Sequence, residues 1–171
     1  MGQADQTVIL GQYRVAPRTL SFITRGDKVL LLRGSPSKPI WPNQYNGVGG
    51  HVRPDEDVFA AARREIVEET GLLVQDLRLR GIINIPVDRP DAGVLLFVFT
   101  ATSATRDLRP SDEGTPEWVP LDAVDQVDLV EDLPVLLPHV LAMGPAEPPF
   151  FALYDYDEGG ELVATFALTT A

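Results

Sequence analysis

Apolar residues recur along the chain in two rhythms. From Thr19 to Thr24 and again from Lys28 to Arg33 they alternate or run together on both sides of Arg25-Gly26-Asp27, which predicts two strands joined by a tight turn. The loop GSPSKPIWPNQYNGVGG follows, rich in Gly, Pro, Ser and Asn. The period then changes. Phe59, Ala62, Ile66 and Val67 recur at helical spacing, Asp57 stands where an N-cap belongs and Gly71 where a helix ends, so a helix is predicted over Val58–Thr70 with Phe59, Ala62 and Ile66 towards the core. Leu77–Ile85 and Val94–Ala101 flank PVDRPDAG as a second hairpin, and EWVPLDAV predicts a short strand running into a turn or helical cap. Leu129–Met143 predicts a second helix in which Pro134 suits the first turn better than the middle. FFALYDYDEGGELVATFAL gives a third hairpin around Asp157-Glu158-Gly159-Gly160. Hairpins interleaved with two helices predict a mixed sheet covered on both faces, an α/β or α+β sandwich, with residues 1–171 as one domain.

The end of the first helix is electrostatically odd. A helix C-terminus carries partial negative charge, yet Glu65, Glu68 and Glu69 crowd there. Their spacing places them on one side, where each like-charge pair costs about 0.2–0.5 kcal/mol and the dipole roughly 0.3–1 kcal/mol more. Arg64 offsets part of this through Glu68 at i+4, whereas Arg63 reaches the Glu69 side poorly. The balance stays negative. A solvated acidic face is one explanation, and a bound cation is the other.

Composition narrows what that cation is. The chain has no cysteine, which excludes disulfides, zinc-thiolate sites, iron-sulfur clusters and thiol nucleophiles, so a metal would sit on oxygen or imidazole. A net charge of −11 argues against broad attraction to nucleic acid polymers or anionic membranes, and a phosphate substrate would then need divalent cations to hold it. Mg²⁺ or Mn²⁺ seek carboxylate and carbonyl oxygens and complete their shells with water and substrate phosphates. The start MGQADQTVIL lacks a basic leader region, and no stretch approaches the roughly 20 apolar residues that span a bilayer, which gives a cytoplasmic protein as the expectation.

Read as a whole, Gly50 to Leu72 runs Gly50, five residues, Glu56, seven residues, Arg64-Glu65-Ile66, one residue, Glu68-Glu69, one residue, Gly71-Leu72. This resembles the Nudix box, G-x5-E-x7-R-E-U-x-E-E-x-G-U with U a bulky aliphatic residue, at every fixed position. The resemblance implies an α/β/α sandwich with a loop-helix-loop motif, hydrolysing a nucleoside diphosphate linked to another group with Mg²⁺ or Mn²⁺. It also implies metal ligation by Glu65, Glu69 and the Gly50 carbonyl, with Glu68 a further ligand or the residue that helps deprotonate water. Arg64 would orient Glu68, and Glu56 would hold Arg64 by an ion pair. His51 and His139 are expected to be incidental.

Outside the box, the Asn-Gly-x-Gly-Gly run at Asn46 resembles the MutT-like and mammalian oxidised-purine nucleoside triphosphatases of that family, which implies that Asn46 contacts the base; a plain Asn-Gly turn is the other reading. The segment SDEGTPEWVPLD also resembles the mammalian enzymes, with Glu113 at the place of an extra metal-site acid and Trp118 at a packed strand tryptophan. At the base pocket those enzymes carry a tryptophan and two adjacent aspartates, where this chain has Val130, Asp132 and Leu133. Asp132 survives as one acid, Glu131 stands next to it, and Trp41 or Tyr45 would offer a replacement stacking ring or else pack on its own domain. The expected function is hydrolysis of a purine nucleoside triphosphate to the monophosphate and pyrophosphate. ADP-ribose or a dinucleotide polyphosphate is the alternative substrate, and a silent nucleotide-binding module the alternative role. Monomer and homodimer both remain open.

Overall fold

Strand β1 (Arg14–Arg25) turns into β2 (Lys28–Gly34), the short β3 (Tyr45–Asn46) follows, and α1 (Val58–Thr70) leads into the long pair β4 (Val74–Val87) and β5 (Arg89–Ser103). After these come β6 (Gly114–Pro120), a 3-10 helix over Leu121–Gln126, α2 (Leu133–Ala142), β7 (Phe150–Tyr156) and β8 (Leu162–Phe166). This computed structural model describes residues 11–111 and 113–167. The stretch MGQADQTVIL and Leu168 of the third hairpin lie outside the described residues. The eight strands form one sheet in the order β3-β2-β1-β5-β4-β7-β8, with β6 paired along β2. β1 runs parallel to β5 and β4 parallel to β7, while the other pairs are antiparallel, so the sheet is mixed as the pattern predicts.

Alternation along β1 explains why both faces need a helix. Phe22 and Ile23, adjacent and both fully buried, point to opposite sides. Ile23 joins Leu30, Phe99 and Ala62 and Ile66 of α1 in one core; Phe22 joins Val29, Leu31 and Leu133, Leu136 and Val140 of α2 in the other. Each fully buried aliphatic side chain of this kind contributes about 1.5–3 kcal/mol.

Three expectations need correction. Phe59 is 42% exposed and not a core residue; Ala61 takes the buried position with Ala62 and Ile66, leaving Phe59 at the helix margin, edge-on to Phe99 at 6.1 Å with Arg63 above its ring at 5.4 Å. PVDRPDAG is mostly strand, because pairing continues to Val87 and Arg89, and the N-terminal half of β1 pairs with Ala92 to Leu96 on the far side of β5. The second helix starts at Leu133, not Leu129: the preceding residues are tied to β3, with Tyr45 N–H donating to the Asp128 carbonyl and Val130 N–H to the Tyr45 carbonyl. Pro134 does lie in the first turn, where its missing N–H costs nothing. Among the described residues, no helix is long and apolar enough to cross a membrane.

Candidate active site

The segment after β3 is laced to the edge of β1. Thr19 N–H donates to the Gly50 carbonyl at 2.8 Å, and Ser21 and Val48 exchange backbone hydrogen bonds of 2.7 and 3.0 Å. This lacing leaves no room for side chains: a Cβ at Gly49 would collide with the Thr19 carbonyl, and one at Gly50 with the Glu65 carboxylate. Close backbone approach therefore requires Gly49, while Gly50 leaves the Glu65 carboxylate its present position, and together they let the loop backbone lie against the acidic end of α1. That helix starts where Asp57 Oδ1 accepts from Phe59 and Ala60 N–H at 2.8 and 2.9 Å, and it ends where Gly71 N–H returns to the Val67 carbonyl. Fixing both ends fixes the rotation that aims its glutamates.

Those glutamates share one cleft of about 700 Å³ but sit at different depths. Glu68 is exposed. Glu65 is half-buried beside Gly50, and Glu69 is 4% exposed with one carboxylate oxygen accepting Gly49 N–H at 2.9 Å. All three lie on one side of the helix as their spacing predicts, and within that side Glu69 follows Ile66 into the interior. Burial raises the Glu69 pKa to about 8, with the Glu65 and Glu113 charges adding to the rise and the Gly49 N–H opposing it. The last turn holds no basic residue.

Arg64 supplies the nearest countercharge. Its guanidinium meets Glu56 at 2.6 Å, Glu65 at 2.7 Å and Glu68 at 3.0 Å, and donates to the His51 carbonyl at 3.0 Å. With only 15% of its side chain exposed, it is a hub more than a surface ion pair. The hydrogen bonds from Arg64 first, and from Arg53 N–H second, lower the Glu56 pKa to about 2. Glu56 in turn holds Arg64 firmly protonated. Four acceptors share one cation, so the cluster keeps excess negative charge.

The donor set fits a hard divalent ion. Glu69 is a buried carboxyl short of countercharge, close to the Glu65 carboxylate, and the Gly50 carbonyl, one residue beyond the Gly49 N–H that Glu69 accepts, keeps a second lone pair besides its Thr19 bond. Among the described residues, no three acidic, imidazole or thiol side chains form a ready-made metal cage. Glu113 lines the same cleft and is paired with Lys38 at 2.7 Å.

The candidate base-binding residues are brought together less evenly. Asn46, Trp41, Glu131 and Asp132 all line the cleft. Asn46 is both a turn residue and a cleft residue: its Oδ1 accepts Gly47 N–H at 2.7 Å while the residue lines the cleft. Trp41 is 49% exposed on a backbone of φ 57°, presenting its ring at the cleft mouth. Tyr45 is turned away, its hydroxyl donating to Glu117 at 2.9 Å across β2. Glu131 accepts Leu162 N–H at 3.1 Å and so ties the last hairpin to the cleft. Burial raises the Asp132 pKa to about 6. Val130 and Leu133 are core residues, and Trp118 packs against the α1 core with its indole N–H on the Arg106 carbonyl. His139 stacks on Phe150 and Phe166 outside the cleft, whereas His51 lines it and accepts from Arg18 Nε at 3.1 Å.

Among the cleft residues that sequence reasoning missed, four stand out chemically. Arg18, Lys38 and Arg53 bring positive charge to the wall of an acidic protein, and Tyr154 brings a buried phenol. Nothing near the cations marks them. Tyr154 had a signal, because alternation in FFALYDY puts it on the same face as Phe150, towards α2.

The family model described as NUDIX domain matches residues 14–140. An oxidized purine nucleoside triphosphate hydrolase from Danio rerio is 31% identical over 106 residues, covering 62% of this chain and 67% of that protein. An NAD-capped RNA hydrolase NudC from Pseudomonas aeruginosa is 32% identical over 118 residues, and there the match spans 67% of this chain but 40% of the relative. Among solved structures, a MutT protein from Bacillus halodurans superposes with a TM-score of 0.74 at 24% identity, covering 89% of this chain and 97% of that one.

Proposed function

We propose, from the premise that this chain belongs to the NUDIX family of hydrolases, that it cleaves a phosphoanhydride bond of a purine nucleoside triphosphate, releasing the monophosphate and pyrophosphate. The observation that carries the reading is the buried, undercompensated Glu69 beside Glu65 and the Gly50 carbonyl, at one end of a cleft that also holds Asn46 and Asp132. Residues 1–171 act as one domain, in the cytoplasm, without a nucleic acid polymer or membrane as partner.

Glu65, Glu69 and the Gly50 carbonyl would hold Mg²⁺ or Mn²⁺, with Glu68 and Glu113 within the same cleft as further acids. Such an ion acidifies bound water and offsets charge on the leaving phosphate. Glu68, exposed and held only by arginines, is placed to accept the proton of an attacking water. Arg64 keeps Glu68 and Glu65 oriented and is itself fixed by Glu56. Arg18, Lys38 and Arg53 line the cleft as phosphate-facing cations. Asn46 offers its amide N–H groups to the base, and Trp41 offers a ring for stacking.

A panel of nucleoside triphosphates, ADP-ribose and dinucleotide polyphosphates with product identification tests the assignment. Monophosphate and pyrophosphate from a purine triphosphate are expected, and turnover of ADP-ribose far above every triphosphate would replace the reading with its alternative. Asn46→Ala is expected to raise the KM for the purine substrate about 3–10-fold, the equivalent of one lost hydrogen bond, with Mg²⁺ dependence unchanged. An unaltered KM in steady-state kinetics would remove Asn46 from the base contact.

A further inference from the structure

The two faces of the sheet are covered unevenly. On one, α1 packs over Ile23 of β1, Leu30 of β2, Phe99 of β5 and Trp118 of β6. The same face of β7 and β8 is bare, with Phe151, Leu153 and Val163 exposed by 53%, 45% and 44%. The register extends this apolar strip inwards, because Phe151 stands beside Ile82 of β4 and Ile82 beside Phe97 of β5, both only half-buried. The alternate residues Phe150, Ala152, Tyr154 and Ala164 point the other way, into the α2 core. A sheet face meant for water carries polar residues at such positions, so an apolar strip of this width signals a contact.

We propose that this strip is the contact between two copies of the chain, packed sheet face on sheet face about a twofold axis. With Phe59 at the α1 margin, its side chains leave on the order of 500 Å² of apolar surface per copy in water; a pair buries about 1,000 Å², the area at which specific interfaces begin. Charge selects a second copy as the occupant. Arg63 lies over the Phe59 ring at one end of the strip, and Asp155 follows Leu153 on β7 at the other. Neither joins an ion pair among the described residues, and the strip between them is uncharged. A twofold rotation brings each Arg63 to the Asp155 of the other copy, the self-complementarity that an isologous contact requires. Elsewhere a chain of net charge −11 repels its own copy. Edge-to-edge pairing through β8 is obstructed, because Leu162 N–H on its free edge is already taken by the Glu131 carboxylate at 3.1 Å.

Sedimentation velocity on the full chain over a range of concentrations tests this, without nucleotide or metal, so that the outcome is independent of the hydrolase reading. Wild type is expected to dimerise with a Kd on the order of 10 µM, as suits a small interface. Leu153→Glu should weaken the dimer at least about 100-fold and leave the Tm near that of wild type, because the position is already in water. Arg63→Glu and Asp155→Arg should each weaken it, and the two together should restore the Kd to within about threefold of wild type. Wild type that stays monomeric at about ten times that Kd overturns the proposal and leaves the strip to another occupant. A dimer that survives Leu153→Glu overturns it by placing the contact elsewhere. Single charge reversals without effect, or a double reversal that restores nothing, overturn the twofold arrangement. If Leu153→Glu fails to fold, the charge reversals, both at exposed positions, decide alone.

Discussion

Glu69→Gln is expected to lower kcat about 10³-fold, and to weaken Mn²⁺ binding, while making the ion-free protein more stable at alkaline pH. The two effects have one origin. Glu69 is a carboxyl the fold buries without adequate countercharge, an arrangement that a bound cation would relieve. Its folded pKa of about 8 lies above the ordinary 4.5, so between those values the folded state binds more protons than the unfolded one. Stability in EDTA is therefore greatest below about pH 4.5 as far as this group is concerned, and falls as pH rises towards about 8. The accumulated loss is on the order of 3–5 kcal/mol. Glutamine keeps the shape, can still accept Gly49 N–H and does not titrate, so its denaturation profile should lose that downward slope. Near wild-type turnover in Glu69→Gln, or identical pH profiles in EDTA, would show that this carboxyl is not the core of the site.

Arg64→Met is expected to lower stability at pH 7, because partly buried carboxylates are left without their shared partner, and to depress kcat about 10²-fold. Methionine preserves much of the aliphatic stem, so what disappears is the guanidinium and its four acceptors: Glu56, Glu65, Glu68 and the His51 carbonyl. Lysine should recover little, because a point charge cannot reach acceptors spread around a planar fork. Glu56 gives a pH signature. Its folded pKa of about 2 lies below 4.5, so its contribution is present above pH 4.5 and lost as pH falls towards 2, and Arg64→Met should flatten that acid limb. Denaturant unfolding between pH 2 and pH 7 measures it, and a variant as stable as wild type would reduce Arg64 to a solvated surface charge.

What the sequence determined by itself was local. The 3.6-residue period, the Asp57 cap and Gly71 fixed α1, and alternation around short turns gave the hairpins, because these depend on residues near one another in the chain. The order of residues from Gly50 to Leu72 likewise carried the identity of the acidic cluster, since all its acids except Glu113 lie within one loop and helix. Tertiary structure decided how each acid behaves. Residues equally placed on a helical wheel became an exposed Glu68 and a buried Glu69, because the Gly49–Gly50 loop, laced to β1, covers one and not the other. It also decided which polar groups share the cleft: Lys38 meets Glu113, and Tyr154 meets Asp132, across long separations in sequence that no spacing rule encodes. Burial and long-range pairing are properties of the packed sheet, and they set the electrostatics on which the chemistry depends.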